Sequence, residues 1–370
     1  MKKYLVLMLL LTASISYAQK DSKMTIDTFT KTLEESLTKR MKEKNVPGAA
    51  IAIIDKGKVV YKEGIGWADR EKQITVTEKT GFNIGSISKM FTAWGILKLV
   101  EKGKVDLDAP IEIYIRRWKL PETEFDKKKI TVRSLLSHTG GISVHGYPGF
   151  HPDQTLPTLE ASLDGVNGDV RANEPVEVII APQTKFKYSG GGYTLLQLLI
   201  EEVTETSFAT YMQQEIFDPL KMKNSSFHID GKILKNSAKP YDEEGKEVYL
   251  ERFTAQAAAG LHTTLEDLLL FAHASLQENS IVSRKSMEEM RTPVPLSNGN
   301  YGLGYIIYPF GAITVKGHAG SNTGWESAFF LDFEHQSGMV MLSNGSQGDN
   351  VLKGTLRQWV QWKTAQLKGE

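Results

Sequence analysis

The sequence places a serine hydroxyl and a lysine amine where they can act together. Ser86 and Lys89 are three residues apart, at the beginning of an apolar segment that we predict to be a helix. At that spacing two side chains share one face of a helix, with Cβ atoms roughly 5–6 Å apart. A nucleophile beside a potential base is what acyl transfer through serine requires. The pair is therefore a candidate for nucleophilic catalysis.

The surroundings of the pair distinguish it from a second copy of the spacing at Ser36 and Lys39. That copy lies on an amphipathic helix predicted over residues 25–44, among charged neighbours, and we interpret it as solvated helix surface. The helix after Ser86 is apolar nearly all round, so its first turn should be buried and Lys89 partly desolvated. Desolvation lowers the pKa of an amine, which would make it a base near neutral pH. The alternative is a helix cap beside a surface salt bridge.

Two later segments carry further candidate residues. Tyr188 comes before three consecutive glycines, and its phenol is a candidate proton shuttle, although a structural tyrosine is the alternative interpretation. His318 follows a strand predicted over residues 312–315 and stands between small residues. We expect it at the end of that strand, lining a groove in which backbone N–H groups face a substrate.

The order of these segments resembles the motif order of a known family. Ser86–Lys89 is similar to S-x-x-K, Tyr188-Ser189-Gly190 to Y-x-N, and His318-Ala319-Gly320 to H-x-G or K-T-G. These are the motifs of the penicillin-recognising serine hydrolases, in the branch with class C β-lactamases, D-aminopeptidases, alkaline D-peptidases and related esterases. The resemblance extends from about residue 25 to the end of the chain.

The resemblance implies a role for each matching residue. Ser86 would be the acylated nucleophile, Lys89 would accept or hold its proton, and Tyr188 would act as a shuttle to the leaving group. Which of the last two is the base stays open. The backbone N–H groups of Ser86 and Ser321 would form the oxyanion hole, where a lost donor typically costs ~10²–10³ in rate. The third motif, with His318 and Gly320, would bind substrate. No metal or organic cofactor is implied.

Two departures from the motifs bear on the substrate. Gly190 stands where the family usually has an asparagine that binds the amide side chain of the substrate. His318 stands where typical β-lactamases have lysine, and a mostly neutral imidazole attracts a carboxylate less strongly. Both departures favour a D-amino-acid peptidase, an amidase or an esterase over an efficient β-lactamase. A penicillin-binding-like sensor with little turnover is the alternative.

The elements that must position these residues predict an α+β fold. A hairpin over residues 49–61 and four strands between 305 and 342 should form one antiparallel sheet from both ends of the chain, flanked by helices. Helical patterns dominate the middle and predict an inserted, mainly helical subdomain at about residues 106–295, as in the β-lactamase/transpeptidase fold. A groove between the two parts is a natural ligand site. The catalytic domain is predicted to span residues 19–370.

The composition argues against nucleic-acid binding, and the first residues of the sequence predict export. The chain of 370 residues has no cysteine, and its 44 basic residues balance its 44 acidic ones without a basic patch, which argues against nucleic-acid binding. Residues 1–18 have the basic start, apolar core and small-residue end of a signal peptide, and their apolar run is too short to span a membrane. We expect an exported protein, periplasmic where the cell has two membranes, without a stable membrane anchor. Its partner would be a small-molecule or peptide substrate.

Two other hydrolase classes are disfavoured. The G-x-S-x-G motif of α/β-hydrolases does not occur in the sequence. His145, His151 and Asp153 are conceivable metal ligands, but there is no H-E-x-x-H motif, and a loop rich in glycine and proline explains them better.

Overall fold

The structure is a computed structural model that describes residues 24–165, 174–229 and 231–368. The predicted signal peptide lies outside the described residues. The strands are β1 Gly48–Asp55, β2 Lys58–Asp69, β3 Ile74–Thr75, β4 Gly81–Asn83, β5 His262–Thr264, β6 Ile306–Phe310, β7 Ile313–Asn322, β8 Trp325–Asp332 and β9 Ser337–Ser343. The α-helices are α1 Ile26–Glu43, α2 Ser88–Glu101, α3 Val132–Leu136, α4 Leu159–Leu163, α5 Gly190–Thr204, α6 Phe208–Met212, α7 Gly231–Asn236, α8 Gln256–Ala259, α9 Leu265–Leu276, α10 Arg284–Met290 and α11 Gly348–Leu367.

The main sheet joins the two ends of the chain. Its seven strands follow the order β3-β2-β1-β9-β8-β7-β6, and every neighbouring pair is antiparallel. β1 therefore pairs with β9, so that the first and last long strands of the described chain lie side by side. A separate two-stranded sheet pairs β4 with β5. The predicted α+β architecture with one sheet from both termini is confirmed.

Helices cover both faces of this sheet. Alternate residues of β1 point to opposite faces, as the period of two in a strand requires. One face packs against α1 and α11, where the rings of Phe29 and Trp362 stack with centroids 4.6 Å apart. The other face packs against α2, which is buried almost all round, and α9. Burial on both faces explains why β1 and β9 are apolar over most of their length.

The chain between α2 and β6 is mainly helical. Of the nine strands in the two sheets, only β5 lies within the described residues of this region. The α-helices α3 to α10 supply most of its regular structure. The limits of a separate insertion at about 106–295 remain a prediction. Within the described ranges, no helix combines the length and the apolar character that crossing a membrane would require.

The second serine–lysine spacing belongs to the contact between α1 and α11. Lys39 is 77% exposed and lies 4.0 Å from Glu43, as expected for helix surface. Ser36, in contrast, is partly buried and donates a 2.7 Å hydrogen bond to Gln358 of α11. The prediction of solvated surface is thus right for Lys39, whereas Ser36 links two helices.

Candidate active site

Ser86 lies in a tight turn that leads into α2. The turn, Gly85–Ile87, is a 3₁₀ helix, and α2 begins at Ser88. The Ser88 hydroxyl donates to the Gly85 carbonyl (2.6 Å) and accepts from the Leu261 N–H (3.0 Å), so it fixes the turn from below. Ser86 is thereby held at the edge of the core, where a groove opens.

Lys89 reaches Ser86 from within the core. Its Nζ is 3.1 Å from Ser86 Oγ and donates a 2.7 Å hydrogen bond to the Ala258 carbonyl. The side chain is only 2% exposed, and burial lowers the pKa of Lys89 to about 7. The rings of Tyr188 and Tyr193 lie 4.8 and 5.4 Å from Nζ. A large fraction of Lys89 is therefore neutral near pH 7 and able to accept the Ser86 proton.

Tyr188 completes the group around the serine. Burial raises the pKa of its phenol, and a hydrogen bond with Ser86 opposes that shift. The ring packs on His138 with centroids 4.2 Å apart. A phenol with a raised pKa keeps its proton at neutral pH, so Tyr188 is suited to relaying protons rather than to starting as a base.

A buried hydrogen-bond chain runs behind this group and includes His318. The Ser189 N–H donates to His138 Nδ1 (3.0 Å), so the neutral ring carries its proton on Nε2, which is 3.1 Å from the Tyr301 hydroxyl. That hydroxyl is 3.2 Å from His318 Nε2, and His318 Nδ1 is 2.5 Å from the Ala319 carbonyl. Burial and Lys89 lower the pKa of His318 to about 3. His318 is thus neutral with both ring nitrogens in contact with protein partners.

His138 and Tyr301 were missed as members of this chain. His138 follows α3 and Tyr301 precedes β6, and neither residue belongs to one of the three motifs. The expected location of His318 at a strand end was wrong, since β7 continues to Asn322 and His318 lies inside it.

Strand β7 brings Ser321 to the nucleophile. β6 pairs with β7 only as far as Gly317, so residues 318–322 have β8 on one side and the groove on the other. A Cβ on Gly85 would lie 2.6 Å from the Ser321 nitrogen, and Gly85 has a φ of +49°. Only glycine permits this approach of strand and turn. Ser321 is therefore adjacent to the Ser86 turn, where its N–H is suited to an oxyanion hole.

The groove in front of Ser86 has a volume of about 1050 Å³ and a markedly acidic lining. Lys89 is the one lysine or arginine that lines it among the described residues. The acidic residues of the lining are Asp242, Glu243, Glu251, Glu326 and Asp349. The four carboxyl groups other than Glu326 make this a surface that repels a substrate carboxylate.

Glu326 is an acidic residue of this lining that contacts Ser321, a predicted oxyanion-hole residue. It lies on β8 directly opposite Ser321, whose hydroxyl donates to it over 2.7 Å, and it is 8% exposed. Burial raises the pKa of Glu326 to about 8, and Asp349 adds to the shift. The short turn at Thr323 and Gly324, between two strand-forming segments, was the signal that could have placed Glu326 beside Ser321.

Gly190 lies behind the groove wall rather than on its surface. It is the first residue of α5, is buried, and donates a 3.0 Å hydrogen bond to the carbonyl of His145. His145 itself lines the groove. His151 and Asp153 pair with each other over 3.5 Å, and the described residues contain no group of three side chains arranged to hold a metal ion.

The family model described as Beta-lactamase matches residues 33–359. The chain belongs to the beta-lactamase family. Within this family it is 26% identical to Protein flp of Staphylococcus aureus (strain MW2) over 339 residues, covering 88% of this chain and 63% of flp. It is 28% identical over 281 residues to the putative penicillin-binding protein PbpX of Bacillus subtilis (strain 168), covering 74% of this chain and 66% of PbpX. The chain thus spans slightly less than two thirds of both relatives.

Solved structures of the family share the fold. The octameric penicillin-binding protein homologue from Pyrococcus abyssi is 32% identical with a TM-score of 0.73, over 86% of this chain and 74% of that one. The D-amino acid amidase from Ochrobactrum anthropi SV3, in complex with D-phenylalanine, is 23% identical with a TM-score of 0.73. That likeness covers 92% of this chain and 99% of the amidase. At this identity the amidase bears on the fold alone.

Proposed function

We propose that the protein is an exported serine hydrolase that forms a covalent acyl-enzyme on Ser86 and acts on small amides, D-peptides or esters. The observation that carries the proposal is the 3.1 Å contact between Ser86 Oγ and a buried lysine amine whose pKa is lowered to about 7. A serine hydroxyl is a weak nucleophile until a neighbouring base accepts its proton, and a neutral Lys89 is such a base.

The proposed reaction has two halves. Ser86 Oγ bonds to the substrate carbonyl carbon while its proton passes to Lys89, and the N–H groups of Ser86 and Ser321 stabilise the oxyanion. Tyr188 relays the proton to the leaving amine or alcohol as its bond to the carbonyl carbon breaks. Water then attacks the resulting ester, loses a proton through the same groups, and releases the acid with Ser86 restored.

The charge of the groove favours the binding of substrates that have no carboxylate beside the scissile bond. His318 is neutral and has no ring nitrogen without a protein contact, so it offers no cationic anchor. The described lining also holds five carboxyl groups and, apart from Lys89, no lysine or arginine. Penicillins carry a carboxylate next to the reacting amide. We therefore expect a lower kcat/KM for β-lactams than for simple amides and esters.

A panel of substrates tests this proposal. Nitrocefin, D- and L-alanine p-nitroanilide and p-nitrophenyl esters of short acids would be compared by kcat/KM on the wild type, Ser86→Ala and Ser36→Ala. We expect turnover of anilides or esters above that of nitrocefin, its loss in Ser86→Ala, and wild-type rates in Ser36→Ala. Turnover that survives in Ser86→Ala would contradict the mechanism. Stoichiometric labelling by a fluorophosphonate without product release from any substrate would favour the sensor alternative.

A further inference from the structure

A short loop beside the nucleophile is fixed to the beginning of α5. The carbonyl oxygens of residues 143–145 accept hydrogen bonds from the Ser189 hydroxyl (2.6 Å, to residue 143), the Gly191 N–H (3.1 Å, to residue 144) and the Gly190 N–H (3.0 Å, to residue 145). The first N–H groups of a helix have no partner within the helix. Here the loop supplies that partner, so helix start and loop form one unit.

The glycines at the start of α5 make this docking possible. A Cβ on Gly190 would lie 3.1 Å from the carbonyl oxygen of His145, and a Cβ on Gly191 would lie 2.8 Å from that of Ser143. A longer side chain at position 190 would have to push the loop away. The absence of the usual asparagine and the presence of His145 at the groove are therefore two consequences of one arrangement.

The backbone before His145 has an unusual conformation. Val144 has a φ of +58°, in the left-handed region that a β-branched residue rarely adopts. Its carbonyl and those of its two neighbours are all bound to the start of α5. Strained backbone of this kind persists where surrounding contacts over-determine it, and it clusters at functional sites. The strained residue directs the chain so that His145 lies at the groove.

The imidazole of His145 lies beside Tyr188 in the groove that contains Ser86. It is exposed, lines the same groove as Ser86 and Lys89, and its ring centroid is 5.1 Å from that of Tyr188 at an angle of 41°. An imidazole offers both a donor and an acceptor nitrogen when neutral. It can therefore form the kind of hydrogen bond that an amide side chain would form.

We propose that His145 is a specificity-determining residue that hydrogen-bonds an amide on the acyl side of the substrate, the contact that position 190 cannot make in this chain. The inference rests on the proposed function, because it assigns a partner to the acyl group bound at Ser86. It extends the substrate class to acylated amino-acid esters and amides.

Two esters with one leaving group test the proposal. The p-nitrophenyl esters of N-acetyl-D-alanine and of propionic acid differ in the acetamido group that His145 would bind. We expect His145→Ala to lower the ratio of their kcat/KM values by roughly tenfold, mainly through KM, the loss typical of one hydrogen bond. His145→Gln, which keeps a donor and an acceptor, should restore most of the ratio. His151→Ala, a histidine outside the groove lining, should keep the wild-type ratio.

A second comparison tests the link to position 190. A Gly190→Ala side chain would displace the His145 backbone, so this variant should lower the ratio as well, and combining it with His145→Ala should add little. Additive losses would contradict the link. A ratio unchanged in His145→Ala, or equal losses on both esters, would overturn the role of His145. The proposed function is tested separately with the propionate ester. Turnover of this ester by Ser86→Ala would contradict the proposed function, whatever the role of His145.

Discussion

The hydroxyl of Ser321 donates a 2.7 Å hydrogen bond to Glu326, the residue directly opposite it across the β7–β8 hairpin. Burial, with a contribution from Asp349, raises the pKa of this carboxyl to about 8. Near pH 7 the group is therefore mostly protonated and uncharged. The proposed oxyanion donor thus has a neighbour that becomes negative only in alkaline solution.

The first prediction concerns the alkaline limb of activity. Above about pH 8 the ionised Glu326 places a negative charge beside Ser321, which opposes the oxyanion at its N–H, so kcat/KM should fall. Glu326→Gln should remove this fall and extend the plateau. The measurement is the pH profile of kcat/KM on a short-chain ester. Glu334→Gln, an exposed carboxyl on the turn between β8 and β9, is the control and should keep the wild-type profile. Identical alkaline limbs in all three proteins would contradict the assignment.

The same carboxyl predicts how the free energy of unfolding depends on pH. Its pKa is higher in the folded protein than the ordinary 4.5, so between these values the folded state binds more protons than the unfolded state. Its stabilising contribution is complete below about pH 4.5 and is lost as the pH rises to about 8. Urea unfolding of Glu326→Gln should show a smaller decline over this window than the wild type. Parallel pH dependences of the two proteins would refute this.

Lys89 is expected to produce the acid limb of activity. Its pKa of about 7 makes it a base only when it has lost its proton, so kcat/KM should rise with pH through about 7. Lys89→Ala should lower the rate of acylation by roughly 10²–10⁴. Burst kinetics with a p-nitrophenyl ester measure acylation directly. An acid limb that persists with the same midpoint in the residual activity of Lys89→Ala would assign it to another group.

The buried Lys89 also makes the free energy of unfolding depend on pH. Its folded pKa of about 7 is below the ordinary 10.5, so the unfolded state binds more protons between these values, and stability should rise with pH across that window. Lys89→Met removes the group and should flatten this rise, while being more stable than the wild type below pH 7. Thermal unfolding at pH 6 and pH 10 distinguishes the outcomes. A Lys89→Met protein that is less stable at both values would show that the contact with Ala258 outweighs desolvation.

The sequence predicts the local parts of this molecule well. Helical spacing places Lys89 beside Ser86, and apolar periodicity places α1, α2 and the strands of the sheet close to where they lie. These features depend on residues near each other in the chain. The end of a strand is harder to predict. β7 continues to Asn322 through small and polar residues whose extended conformation depends on tertiary contacts, among them the pairing with β8.

The contacts across the groove could not be predicted in the same way. His145 approaches Tyr188 because a strained valine and a glycine at position 190 let two distant segments dock. The chain of His138, Tyr301 and His318 likewise joins three segments with no shared local pattern. Such contacts depend on the tertiary packing, and a single sequence carries no periodic signal for them.

The last prediction tests the approach of Ser321 to the nucleophile through two glycines with similar backbone. Gly85 has a φ of +49° and Gly103 a φ of +67°, so alanine is strained at both. A Cβ at position 85 would lie 2.6 Å from the Ser321 nitrogen, whereas nothing lies within 4 Å of one at position 103. Gly85→Ala should therefore displace an oxyanion donor and lower kcat by ~10²–10³.

Gly103→Ala serves as the matched control for this variant, because it introduces the backbone strain without the clash. It should cost about 1 kcal/mol of stability and leave kcat near the wild-type value. Measuring kcat together with the unfolding free energy of both variants separates the two effects. Equal losses of kcat in the two variants would show that strain alone is responsible and that Ser321 is not the donor. A large loss confined to Gly85→Ala would instead tie the rate to the position of the Ser321 N–H beside Ser86.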